Sequence, residues 1–100
     1  MTIDLSTGAF HRKVQLRDDL LLEVIIRAVP GGTHYPQGIR YRCYLGNPTT
    51  GEVIVLYDIH PGKPHHRHVR GEQQRYTFST PAQLWEDLVA DVEAVLRGDL

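Results

Sequence analysis

The run Leu20-Leu21-Leu22-Glu23-Val24-Ile25-Ile26-Arg27-Ala28-Val29 decides the fold. Read with a period of two, Leu20, Leu22, Val24, Ile26 and Ala28 share one face, while Leu21, Glu23, Ile25 and Arg27 take the other. A helix would crowd its β-branched residues against the preceding turn, whereas a pleated strand accommodates them. Just upstream, Phe10, Arg12, Val14 and Leu16 alternate with His11, Lys13 and Gln15, and Arg17-Asp18-Asp19 supplies a tight polar turn. The two runs therefore predict a hairpin. Pro30-Gly31-Gly32 ends its second strand, because proline cannot continue a ladder and glycine opens backbone angles other residues avoid.

Working toward the C-terminus, Thr33 to Gly38 reads as a loop. Ile39, Tyr41, Cys43 and Leu45 then alternate with Arg40, Arg42 and Tyr44, a third strand with one apolar face and one basic, aromatic face. Asn47-Pro48-Thr49-Thr50-Gly51 is turn chemistry. The segment Glu52 to Ile59, apolar on both faces at Val53, Ile54, Val55 and Leu56, predicts a central fourth strand. Glu72 to Phe78 predicts a fifth strand with Tyr76 and Phe78 on the core. Thr80-Pro81-Ala82-Gln83 then announces a helix, with a Thr cap, Pro at the first helical position and Gln in capping-box register. Leu84, Trp85, Leu88, Val92, Val95 and Leu96 recur at three and four to form its apolar stripe, and Gly98 stops it.

Strands followed by one helix predict an α+β fold: a two-layer sandwich in which an antiparallel, meander-like sheet of about five strands is covered on one face by a C-terminal helix. Residues 1–9 are read as a flexible lead-in and 10–100 as a single domain, since 100 residues support one modest core. With 41% hydrophobic and 23% charged residues the composition is that of an ordered globular chain. No apolar run is long enough to cross a bilayer and no signal-peptide pattern opens the chain, so a cytoplasmic protein without a membrane partner is expected. The single cysteine, Cys43, excludes an internal disulfide and a thiolate-rich zinc site, and its apolar-alternating surroundings make it a core thiol. Net charge is −1, yet Phe10 to Arg75 holds ten Lys or Arg against six Asp or Glu, and Tyr76 to Leu100 holds one Arg against five acids. The body is basic and the tail element acidic, which suits a body that meets an anionic partner such as RNA. With Arg40 and Arg42 pointing away from the helix, the open face of the sheet can track a phosphate backbone.

The chemistry concentrates in Tyr57-Asp58-Ile59-His60-Pro61-Gly62-Lys63-Pro64-His65-His66-Arg67-His68-Val69, which holds four of the six histidines. Pro61, Gly62 and Pro64 make it a broken, loop-like stretch. Imidazoles titrate near neutrality, so His60, His65, His66 and His68 are candidates for an acid-base pair, with Tyr57 and Asp58 completing the candidate catalytic set. Metal-independent RNA cleavage needs such a pair and a cation to steady the phosphorane. Arg40, Arg42, Lys63, Arg67 and Arg70 are the candidate nucleic-acid contacts. A second reading places a metal on His66 and His68, which point the same way in an extended segment, with His60 or Asp58 as a further ligand. No second ligand pair follows at regular spacing, so the expectation is no metal and no cofactor. A third reading is a solvated polar loop in which Asp58 pairs with Arg67 or caps the turn. Outside catalysis, the open sheet face would serve a non-catalytic module that binds a partner protein.

The order of these elements resembles the TumE toxins of bacterial toxin-antitoxin systems. Those proteins have early β-like segments, a strand ending in an aromatic and Asp, a Pro- and His-rich stretch with a His-x-His pair, and a C-terminal helix. Tyr57-Asp58, His60, Pro64-His65-His66-Arg67-His68-Val69 and the helix from Pro81 carry the resemblance, which runs from about Phe10 to the end. Leu56 and Ile59 depart from it, standing where Arg and Asn are frequent. The resemblance implies a toxin of a two-gene module whose usual companion is a helix-turn-helix antitoxin. The partners to look for are that antitoxin, from the resemblance, RNA, from the histidine cluster and the basic face, and a second copy of the chain in a homodimer.

Overall fold

The computed structural model describes residues 3–100; Met1 and Thr2, part of the expected lead-in, lie outside them. Six strands precede one helix: β1 (Ala9–Arg17), β2 (Leu20–Ala28), β3 (Ile39–Gly46), β4 (Val53–Asp58), β5 (His66–Val69), β6 (Glu72–Arg75) and α1 (Pro81–Arg97). They form one antiparallel sheet in the order β1-β2-β3-β4-β5-β6, a pure meander. The α+β sandwich expected from the sequence is therefore present, with six strands where about five were predicted.

The additional strand is β5. The prolines and Gly62 do break the chain after β4, but the break ends at His65, and His66-Arg67-His68-Val69 pairs along β4. A two-residue turn, Arg70-Gly71, returns the chain as β6, with φ of 46° and 86°. Both residues take the left-handed region, as a type I′ hairpin requires. Arg70 is an unusual residue for such a turn, so the signal was carried by Gly71 alone. Strand β6 stops at Arg75, short of the predicted Phe78; Tyr76 and Phe78 leave the sheet yet still pack on the core.

Leu20, Leu22, Val24 and Ile26 of β2, Tyr41, Cys43 and Leu45 of β3, and Val55 and Tyr57 of β4 are buried, and the helix adds Leu84, Leu88, Val92 and Val95. Phe10 enters from β1 and meets the edge of Trp85 at 5.7 Å between ring centres. Cys43 is fully buried, and desolvation pushes its thiol up to about 12. Ile3 and Leu5, ahead of β1, rest half-buried against the same core.

Thr80 caps α1 through its hydroxyl, which accepts from the Gln83 amide at 3.1 Å. The reciprocal half of the capping box is not made, because the Gln83 side chain donates to Asp87 instead. At the other end Gly98, φ 81°, closes the helix with amides that return to Ala94 and Val95. The predicted stripe is correct except at two places: Leu96 is 47% exposed, and Asp91 is buried among the apolar residues. Leu96 lies one residue, and so about 100° of helical rotation, beyond Val95. Asp91 has a partner waiting across the sheet.

Candidate active site on the open face of the sheet

In an antiparallel sheet, residues paired across strands project from the same face. The pairs from strand to strand sort the candidates that lie within strands. One row runs Arg12, Val24, Cys43, Tyr57, Arg67, Gln74 and faces the helix. The neighbouring row runs His11, Ile25, Arg42, Asp58, His66, Arg75 and faces away from it. A second open-face row runs Lys13, Glu23, Tyr44, Leu56, His68, Gln73. Arg27 lies opposite Arg40 at one end of the same face. The basic strand β3 and the histidine strand β5, read separately in the sequence, thus work on one surface.

Asp58 is the centre of this surface. It is only 9% exposed although it lies on the open face, because imidazoles cover it. His60 Nε2 is 3.0 Å from Asp58 Oδ2, and His68 Nε2 is 3.6 Å from Oδ1. His66 stands across the β4-β5 pair from Asp58, its ring centre 6.0 Å from that of His68. Asp58 Oδ1 is buried and accepts no hydrogen bond. Contrary to the solvated-loop expectation, Asp58 does not pair with Arg67; the two project from opposite faces. A shallow groove of about 480 Å³ lined by Ile25, Arg27, Arg40, Tyr41 and Arg42 lies on the basic strands.

Three sequence candidates are placed elsewhere. Tyr57 is buried under the helix, where its hydroxyl donates to Asp91 Oδ2 at 2.5 Å. Arg67 joins the same carboxylate through Nε at 2.9 Å and Nη2 at 2.6 Å, a two-point contact that raises the guanidinium's affinity for its proton. Burial, together with the hydrogen bond to Asp91, raises the Tyr57 phenol. Tyr57, Arg67 and Asp91 therefore tie sheet to helix. His65 sits just before β5, stacked with Phe78 at 5.1 Å and Tyr41 at 5.6 Å, and hydrogen-bonded through Nδ1 to the Tyr41 hydroxyl at 2.7 Å. Desolvation, with the neighbouring His66 charge, lowers its pKa below the ordinary histidine value. Of the remaining cations, Lys63 is exposed in the turn after β4, and Arg70 donates to the Leu100 carbonyl at 3.0 Å. Arg40 and Arg42 are exposed on the open face, as the alternation of β3 predicts.

Sequence reading did not single out Arg27, Arg75 or Asp91. Arg27 was legible, since the alternation of β2 puts it on the polar face beside β3. Arg75 falls in the strand predicted from Glu72, but its place beside His66 needed β5 to be recognised as a strand. Asp91 was marked only by its place in an apolar stripe, between Leu88 and Val92.

The class is that of a small α+β protein: an open antiparallel sheet backed by one helix, with a buried carboxylate ringed by imidazoles and flanked by guanidiniums on the uncovered face. The chain belongs to the Toxin TumE family, whose family model matches residues 4–96. Family membership points to a toxin that works against an antitoxin partner. No curated protein and no solved structure matches the chain. No helix is long and apolar enough to cross a membrane among the described residues.

Proposed function

We propose that the chain is the toxin of a two-gene module, that it acts in the cytoplasm, and that it cleaves RNA without metal on the open face of its sheet. The observation that carries this reading is the row Arg42-Asp58-His66-Arg75 with His60 and His68 beside it. His60 serves as base: with its Nε2 proton donated to Asp58, Nδ1 keeps a lone pair to receive the proton of a 2′-hydroxyl. The 2′-oxygen attacks the adjacent phosphorus and the 5′-oxygen leaves, taking a proton from His68. Asp58, 3.6 Å from His68 Nε2, positions that ring for the transfer. His66, opposite Asp58 across the strand pair and with its ring centre 6.0 Å from that of His68, supports the developing charge. Arg42 and Arg75 neutralise the phosphorane, and Arg27, Arg40 and Lys63 extend the contact along the strand of RNA. The companion is an antitoxin of the helix-turn-helix kind, whose binding would cover this face.

Expression with and without the neighbouring gene tests the reading. Alone, the chain should arrest growth and leave cellular RNA cut; with its companion, growth should recover. His60→Ala and His68→Ala should each abolish the arrest, and Arg42→Glu should weaken RNA binding and flatten its dependence on salt. Unchanged growth with intact RNA would remove the toxin reading. Arrest that survives both histidine changes but not Arg42→Glu would point instead to a non-catalytic module that binds through the open face.

A further inference from the structure

We propose that Asp58, His66 and His68 form a binding site for a divalent ion of the zinc class, and that an ion held there silences the acid-base site. The silencing rests on the function proposed above; the binding does not.

One ligand atom from each of these three residues lies within 4.8 Å of the other two, close enough to converge on one ion. The fold places them so: Asp58 and His66 are direct partners across β4 and β5, and His68 is two residues further along the same face. The two oxygens of Asp58 are not equivalent. Oδ2 is engaged by His60, whereas Oδ1 is buried without a hydrogen-bond partner and has His68 Nε2 3.6 Å away. A buried carboxylate oxygen left empty is costly, and a cation is the occupant that removes the cost. Guanidinium does not fill that role. Among the described residues the ion-pair partners of Asp58 are imidazoles, while Arg42, its neighbour in register, lies over the Tyr44 ring and Arg67 is committed to Asp91.

Two imidazole nitrogens and one carboxylate oxygen form the donor set of zinc sites that keep a coordination position open. Mg²⁺ and Ca²⁺ prefer oxygen ligands throughout, so the nitrogen donors select against them. His60, by holding Oδ2, fixes the carboxylate so that Oδ1 is presented to the ion. An ion bound through His68 displaces the proton that this side chain would donate, so the leaving oxygen loses its acid. Arg42 and Arg75, on either side in the row, keep the ion's affinity below that of a closed structural site.

The test titrates Zn²⁺ into untagged, chelator-stripped protein at neutral pH, in competition with a chromogenic zinc chelator. One ion per chain is expected, with Mg²⁺ in excess failing to displace it. His66→Ala and His68→Ala should each weaken binding by about tenfold or more, and His11→Ala, on β1 three strands away from Asp58, should leave it unchanged. Both histidines are half-buried on the open face, so these variants keep the core; Asp58→Asn serves as the third arm if circular dichroism shows it folded. Less than one ion per chain, or an affinity indifferent to both histidine changes, overturns the site. RNA cleavage should fall in step with zinc occupancy, and cleavage that rises with zinc overturns the silencing. A metal-free chain that cuts no RNA overturns the proposed function and the silencing together, while the titration still decides the site.

Discussion

Asp91 and Asp58 are both buried carboxylates, and their different partners set their different roles. Asp91 receives two guanidinium nitrogens and a phenol, so its charge is fully compensated and it stitches α1 to β4 and β5. Removing one member of such a set leaves the other charge buried and unpaired. Asp91→Ala should cost about 3 kcal/mol or more in chemical denaturation, and Asp91→Leu combined with Arg67→Met should recover much of the loss. A single variant as stable as the parent would show the pair to be idle. His65 makes a second prediction, this one in pH. Its folded pKa lies below the unfolded value, so the unfolded chain takes up a proton first as pH falls. The stability it contributes is intact above about pH 6.5 and is lost as pH drops through the lowered folded value. The melting-temperature advantage of the parent over His65→Gln should therefore shrink on acidification, and an advantage constant with pH would contradict this. The sequence showed His65 as one of four equal histidines. What separates it is the aromatic stack with Tyr41 and Phe78, which joins residues far apart in the chain.

At the level of elements, β1 to β4 and α1 were legible because each signal was local: alternation in β2 and β3, Asn-Pro and Gly in the turn before β4, Thr-Pro at the cap of α1. β6 was legible as the start of the strand predicted over Glu72 to Phe78, but β5, and with it the hairpin, was not. Four residues are too few for alternation to be read, two prolines stand just before them, and the turn carries Arg where Asn or Asp is usual. That hairpin nevertheless carries His66 and His68 to the side of Asp58, so the site was visible as a composition and hidden as a geometry. The turn is correspondingly sensitive. Gly71 holds φ 86°, and Gly71→Val should cost about 1–2 kcal/mol in thermal or chemical melts, because a β-branched residue is strained there. A Gly71→Val chain of unchanged stability would argue that the hairpin does not hold the left-handed turn described here.

Over the whole molecule, the charge asymmetry of the sequence becomes an asymmetry of layers. The open face presents Lys13, Arg27, Arg40, Arg42 and Arg75 against Glu23 and Asp58, while α1 on the other side bears Glu86, Asp87 and Glu93. On the function proposed above, this layering would draw an anionic strand to one side and turn it away from the other. The same face gathers His60, His66 and His68 around Asp58, which is why binding and chemistry are assigned to a single surface. The rate of RNA cleavage by the untagged chain in the presence of a metal chelator, followed from about pH 5 to about pH 9, tests that assignment most directly. The account predicts a bell, since one imidazole must be neutral while another is protonated, and it predicts that His60→Ala removes the acidic limb and His68→Ala the alkaline limb, each at a rate lowered about 10²-fold or more. A rate that climbs steadily to the alkaline end, or one that vanishes with the chelator, would contradict it.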